Sequence, residues 1–298
     1  MIPPWWTTEG PPVNAAPGCR HQPGPDGDHG ARLGEDQWVT PPSLLSRFAD
    51  YDAADLARRR GSLVVSVVVP ARDEQETVGQ VVAAVHDELM LAGGGVDLVS
   101  ELVVVDDASS DATAERAAAA GARVERGAGL GKGAAMDKGV AATTGDVVVF
   151  VDADVVNFGA HFVTGLVGPM LDDDEVVMVK AFYERPLHDQ GTGGGRVTEL
   201  VARPVVSLLF PELAGIRQPL AGETALRRAV LEHTALEPGY GVELGLLVDV
   251  AERYGVGAIA QVDLGTRVHR NRPLSELRPQ ATDVLRAALA RAGAPLGR

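Results

Sequence analysis

Three short apolar runs stand out along the chain: residues 63–69, 102–105 and 147–151, each ending on a proline or an acidic residue. A continuous run of this length, rich in valine, is the pattern of a strand buried on both faces, as in a parallel sheet. Between the runs the apolar period changes to that of a helix. Val78, Val81, Val82, Val85 and Leu89 fall on one helical face, and Asp73-x-x-Glu76 ahead of them reads as a capping box. An alanine-rich helix is predicted from Thr113 to about Ala120, then a short strand over 122–125, then another helix after Lys132. Farther on, Leu200, Val201, Val205 and Leu208 have helical spacing. So do Leu244, Leu247, Val248, Ala251 and Tyr254, which Gly255 stops, and a strand follows over 258–264. Leu44, Leu45, Phe48, Tyr51 and Leu56 predict an N-terminal helix over 43–62. The alternation of buried strand and helix predicts an α/β fold, a mostly parallel sheet with helices on both faces.

The stretch before residue 43 is different. Nine of the 19 prolines and all three tryptophans (Trp5, Trp6, Trp38) lie there, with no apolar period, so residues 1–42 read as a disordered Pro/Gly-rich tail.

Charge and cysteine content narrow the function. Lys plus Arg number 27 against 41 Asp plus Glu, a net charge of −14. Such a balance argues against nonspecific binding to nucleic acid or anionic lipid. No apolar run reaches the roughly 18 residues that span a bilayer, and the N-terminus lacks a signal-peptide pattern, so a cytoplasmic protein is expected. One cysteine, Cys19, leaves no intramolecular disulfide and no multi-thiolate metal site.

The candidate chemistry sits where the apolar runs end. In open α/β sheets, ligands collect outside the carboxyl ends of the strands. The first run ends in Arg72, Asp73 and Glu74, the second in Asp106 and Asp107, the third in Asp152 and Asp154. Asp-x-Asp also occurs at Asp26/Asp28, Asp50/Asp52 and Asp172/Asp174, but only Asp152/Asp154 closes a buried strand. There, hard oxygen ligands on a rigid edge suit a divalent ion held against a diphosphate. The glycine run from Gly127 to Gly133 matches neither a Walker A loop nor a dinucleotide fingerprint. It reads either as a backbone cradle for phosphate or sugar, with Lys132 supplying charge, or as a plain flexible loop. Gly193–Gly195 entering a helix with Arg196 and Thr198 in its first turn reads as an anion site or as a linker. Glu243 opens a helix after Pro238-Gly239-Tyr240, either complementing the helix dipole or accepting sugar hydroxyls. The densest basic patch, Arg267 to Arg272, contains His269, a candidate ligand completing a metal site begun by Asp154.

These motifs together resemble the GT-A glycosyltransferases, through residues 65–74, 105–111 and 152–154. Within them, residues 131–133, 180–187, 195–204, 238–243 and 269–273 are similar to the actinobacterial glucosyl-3-phosphoglycerate synthases. The resemblance covers about residues 64–291 and implies a GT-A (Rossmann-like) sheet with a C-terminal helical acceptor-side extension. It divides the chain into a nucleotide-sugar half, 63–160, and an acceptor half, 161–298. The activity it implies is transfer of glucose from UDP-glucose to 3-phosphoglycerate with retention, in a homodimer. Pro70, Ala71, Arg72 and Glu74 would line the uridine pocket with Asp106 or Asp107, and Lys132 would lie near the donor. Asp154 and His269 would hold Mg²⁺ or Mn²⁺, with Asp152 on the ribose or sugar. Gly195, Arg196, Thr198 and Asn271 would hold the phosphoglycerate, with Arg267 on the substrate side. Glu243 and Tyr240 would contact glucose or order the acceptor. The catalytic set so implied is Asp152, Glu243 and Lys132. Another nucleotide-sugar donor or acceptor, a nucleotidyltransferase and an inactive sugar-nucleotide sensor are the competing readings.

Overall fold

The computed structural model describes residues 45–186, 195–268 and 274–294. The tail, 1–42, and two predicted site residues, His269 and Asn271, lie outside the described residues.

Strand β2 (Val65–Ala71) is the centre of the molecule, and its side chains are almost all buried. Val65, Val67 and Val69 face one apolar cluster and Val68 the other, as the period of 2 requires. It pairs in parallel with β3 (Glu101–Asp106) on one side and β5 (Val147–Phe150) on the other. β4 (Arg123–Arg126) extends the sheet beyond β3. Helix α2 (Val78–Leu89) puts Val78, Val81, Val82, Val85 and Leu89 into the first cluster, the face predicted from their spacing. α3 (Thr113–Ala119) follows β3 and packs beside α2. α4 (Lys132–Ala141) covers the opposite face and closes on β2 through Gly139.

The chain then adds α5 (His161–Asp172), β6 (Met178–Glu184), α6 (Arg203–Leu209), β7 (Thr224–Arg227), α7 (Arg228–Leu231), α8 (Val242–Tyr254), β8 (Ile259–Thr266) and α9 (Leu274–Arg291). With β1 (Leu45–Arg47), the eight strands run in the order β1-β8-β6-β7-β5-β2-β3-β4. β5 hydrogen-bonds to β7, so residues 63–160 and 161–298 share one sheet.

The sheet is mostly parallel, as expected. The exception is β7, antiparallel to both β5 and β6. It was not visible in the sequence, because four residues with one strongly apolar position carry no readable period. Its direction matters for the site. The N-terminal end of β7, not its C-terminal end, lies beside the carboxyl end of β5, and it delivers Gly222 and Glu223 there.

Two sequence expectations are corrected. The predicted helix over 43–62 is in fact β1, a 3₁₀ turn at Phe48–Asp50, and α1 (Ala53–Arg59). The edge of β8 takes up Leu45–Arg47 in parallel register. The helix begins only where the Asp52 side chain accepts a hydrogen bond from the Asp55 N–H. The capping box Asp73-x-x-Glu76 does not form either. α2 starts after Thr77, and Asp73, at φ 54°, instead accepts hydrogen bonds from the Ser110 N–H and hydroxyl. Residues 73–76 are committed to a loop–loop contact that also includes Glu74 N–H donating to Thr113. That contact outcompetes helix capping.

Candidate active site

A cleft of about 300 Å³ opens at the carboxyl ends of the parallel strands. Its floor is made by Pro70, Ala71, Arg72 and Glu74, which leave β2 together. Asp152 and Asp154 follow β5, and Lys132 opens α4. Gly195, Arg196, Thr198, Tyr240, Glu243 and Arg267 line the cleft as well. These elements are far apart in sequence, and the sheet brings them to one rim.

Lys132 lies at the middle. Its ammonium contacts Asp152 Oδ1 at 2.5 Å and Glu243 Oε1 at 2.7 Å. Burial alone would lower its pKa, but the two carboxylates override burial and hold it well above the ordinary lysine range. Asp152 has a second cation. Arg267 Nη2 lies 2.8 Å from Asp152 Oδ2 and 2.8 Å from Asp154 Oδ1. Burial pushes the Asp152 carboxyl up, yet Lys132 and Arg267 together hold it well below the usual carboxylate range. Arg267 is fixed in turn by Glu223, whose Oε1 accepts from its Nε at 2.9 Å. Lys180, Lys132, Arg185 and Arg267 therefore face Asp152, Asp154, Glu223 and Glu243, four charges against four. The local charge is balanced although the whole chain carries −14.

Asp107 was expected on the nucleotide. It lines the cleft, but both of its oxygens are engaged, accepting the N–H groups of Gly129 and Gly131 at 2.8 Å each. Its job is to fold the glycine loop. Gly129 and Gly131 sit at φ 71° and 101°, conformations open to glycine, so the loop is a built structure and not a slack connector. Asp106, the other candidate of the pair, is buried and accepts from the Ser109 N–H, and of the two it is Asp107 that lines the cleft.

Arg196 and Thr198 open a helix that continues to Leu209 through a π-turn at Thr198–Ala202. Pro204 explains the wide turn, because its ring and missing N–H do not allow a regular α-turn there. Gly195, at φ 73°, makes the entry. Tyr240 is held from α9: its N–H donates to Asp283, and Arg291 ties Glu237 to Asp249. α9 also gives Leu277, Gln280 and Val284 to the cleft wall.

Sequence reasoning missed Glu223 and Gly222, and gave Lys180 and Arg185, both within residues 180–187, no role of their own. A Cβ at Gly222 would lie 2.3 Å from Asp152 Oδ1, so only glycine permits the approach of this backbone to the carboxylate. Arg185 lines the cleft, and its Nε is buried with no hydrogen-bond partner. Only the Gly–Glu pair after a short apolar stretch hinted at the first two, and that is too common to read.

Lys180 is 1% exposed on β6 and donates to the Ala221 carbonyl and the Thr224 hydroxyl. Burial lowers its pKa to about 8, against a smaller opposing pull from Glu243. Between about 8 and the ordinary value of 10.5, the unfolded chain binds the proton and the folded chain releases it. Stability therefore rises with pH through that window. Raising pH from 7.5 to 10 should favour the natural protein over Lys180→Met by roughly 2 kcal/mol in urea unfolding. A difference that does not change with pH would contradict the shift.

The donor set fits a divalent cation of a particular kind. Among the described residues, no three His, Cys, Asp or Glu gather to make a metal cage. Asp154 does offer a hard oxygen at the rim of the cleft. Mg²⁺ is commonly held by one or two carboxylates plus substrate phosphates. The residues fit an ion held jointly with a diphosphate, not one bound by protein alone.

The fold and this rim define a GT-A-type glycosyltransferase. The model of Glycosyl transferase family 2 matches residues 66–212. Glucosyl-3-phosphoglycerate synthase of Mycolicibacterium smegmatis is 48% identical over 269 residues, 86% of this chain and 86% of that protein. The Mycobacterium tuberculosis synthase, crystallised with Mn²⁺, UDP-glucose and phosphoglyceric acid, superposes with a TM-score of 0.74 at 43% identity, covering 83% of this chain and 86% of that one. Its complex with Mg²⁺ and UDP gives 0.76 at 42% identity, covering 85% and 88%. The chain belongs to the glucosyl-3-phosphoglycerate synthase family.

Proposed function

We propose that the chain transfers glucose from UDP-glucose to the hydroxyl of 3-phosphoglycerate, with retention at the anomeric carbon and with Mg²⁺ or Mn²⁺. The observation that carries this reading is the arrangement of one cleft. Pro70, Ala71, Arg72, Glu74, Lys132, Asp152 and Asp154 line it together with Arg196 and Thr198. UDP fits the strand-end residues, and a phosphorylated acceptor fits Arg196 and Thr198, where a helix N-terminus and a guanidinium favour an anion.

Asp154 would hold the metal ion, with His269 as its partner, and the ion would supply charge neutralisation at the departing diphosphate. Pro70, Ala71, Arg72 and Glu74 bind the uridine. Glu243, positioned by Lys132, orients glucose hydroxyls, and Tyr240 and Asn271 complete the acceptor side. Asp152 is engaged by two cations and has a depressed pKa, which makes it a poor nucleophile. That supports attack from the same face as the leaving group, without a covalent intermediate. Positioning of the acceptor hydroxyl against the anomeric carbon then supplies much of the rate.

The reading extends to a cytoplasmic homodimer. No described helix is long and apolar enough to cross a membrane. Leu200 and Leu208, 75% and 80% exposed, give the helix beside the acceptor site an apolar face for a second copy.

Two assays test the reading. UDP release from UDP-glucose should require 3-phosphoglycerate, and UTP with glucose 1-phosphate should give no pyrophosphate; the reverse would indicate a nucleotidyltransferase. Arg196→Ala should raise the acceptor KM by about 30-fold or more, the loss of one charge-assisted anion contact, with the donor KM within threefold. Equal rises in both KM values would make Arg196 a structural residue.

A further inference from the structure

Three neighbouring strands supply one buried chain of contacts behind the cleft. Tyr183 comes from β6, Glu223 from the residue before β7, and Arg267 from the residue after β8. Because β8, β6 and β7 are adjacent in the sheet, backbone pairing fixes their spacing. The Ala181 N–H donates to the Glu223 carbonyl, and the Arg267 N–H donates to the Glu184 carbonyl. Glu223 is 0% exposed. Its Oε2 accepts from the Tyr183 hydroxyl at 2.6 Å and its Oε1 from Arg267 Nε at 2.9 Å. Arg185 Nη2 donates to the same Tyr183 hydroxyl at 2.8 Å.

A buried carboxylate without a role in the reaction is costly to keep, since desolvation of the ion opposes folding. Here both of its oxygens are satisfied, and one partner reaches the site. Arg267 is 3% exposed and uses a single nitrogen, Nη2, to hold Asp152 and Asp154 at 2.8 Å each. Those carboxylates follow β5 on the two sides of Ala153; Lys132 also holds Asp152, while Arg267 joins Asp152 to Asp154. The guanidinium is planar, so fixing Nε fixes the direction of Nη2. Glu223 thereby sets where that nitrogen sits, and the nitrogen sets the spacing of the two carboxylates.

We propose that Glu223 is a positioning residue: through Arg267 it orders Asp152 and Asp154 for the metal and diphosphate of the donor. Glu223 is fully buried and does not line the cleft, so it acts from behind the site. It is the buried end of a relay whose exposed end is the carboxylate pair. The proposal rests on the donor-site reading given above.

The test is Mn²⁺ binding in the presence of UDP, read as free Mn²⁺ by electron paramagnetic resonance, with circular dichroism to verify folding. The natural protein should bind Mn²⁺ with UDP; if it binds none, the donor-site reading itself falls. Given that binding, Glu223→Gln should weaken it about tenfold, and in kinetics it should raise the donor KM with the acceptor KM within twofold. In an Arg267→Ala background the same change should have no further effect, because Glu223 acts only through Arg267. A folded Glu223→Gln protein with natural Mn²⁺–UDP affinity overturns the proposal, and so do effects that add in the double variant. If Glu223→Gln fails to fold, Tyr183→Phe replaces it, since this removes the other hydrogen bond to the carboxylate. A threefold or greater loss of Mn²⁺–UDP affinity is then expected, and natural affinity overturns the proposal.

Discussion

Lys132→Met should lower kcat for glucosyl transfer by about 10³-fold, the scale of losing a preorganised charge at a reacting centre. The size follows from what Lys132 touches. One ammonium holds Asp152 at 2.5 Å and Glu243 at 2.7 Å, and both carboxylates are largely removed from water. Without it, Asp152 keeps Arg267, but Glu243 loses the cation that holds it in place. A nearly buried carboxylate left unpaired takes up a proton or turns to water, and either change removes an ordered acceptor for the sugar. The fold should suffer too, by about 3 kcal/mol, the usual effect of breaking a buried pair. Steady-state kinetics and urea unfolding measure the two effects. A kcat within tenfold of the natural value would remove Lys132 from the catalytic machinery.

Asp154→Ala should abolish metal-dependent UDP binding. Calorimetry in Mg²⁺ should show at least 100-fold weaker UDP binding, because the hard oxygen that joins metal to protein is gone. In chelator the variant and the natural protein should bind UDP alike, which separates loss of the metal from collapse of the pocket. Collapse is not expected, since Arg267 retains Asp152 and Glu223. Unchanged affinity in Mg²⁺ would contradict the assignment of Asp154.

How much of this was legible in the sequence depended on the period. Residues 63–69, 102–105 and 147–151 announced β2, β3 and β5 because each is apolar on both faces. The acidic and basic groups at their ends were therefore findable, and Arg72, Glu74, Asp152 and Asp154 all line the cleft. Lys132, Arg196, Tyr240 and Glu243 lie at helix entries marked by glycine, and resemblance gave them their roles. Asp106 and Asp107 show the limit of that reasoning. Strand-end carboxylates can bind ligand or fold a loop, and composition does not distinguish the two. Glu223 was out of reach because its partners are 40 and 44 residues distant. Its strand is short and runs against its neighbours, so neither a period nor a βα unit points to it. The Leu45–Arg47 strand was misread for the opposite reason: its apolar spacing suited a helix, and only the free edge of β8 decided otherwise.

The acidity of the chain also finds its place. Four of its carboxylates are neutralised within the site by four cations, and Arg72 and Arg196 line the cleft opposite in charge to Glu74 and Asp107, so the cleft is close to balanced. An anionic donor and acceptor meet a local field that differs from the net charge.

The most direct test is to incubate the protein with UDP-glucose, Mg²⁺ and, separately, 3-phosphoglycerate, glycerate and phosphate-free acceptors, then identify the product by mass and NMR. The predicted result is α-linked glucosyl-3-phosphoglycerate with equimolar UDP, formed with 3-phosphoglycerate and with none of the acceptors that lack phosphate. A β-linked product, efficient transfer to glycerate, or no glucosylated product from 3-phosphoglycerate would contradict it.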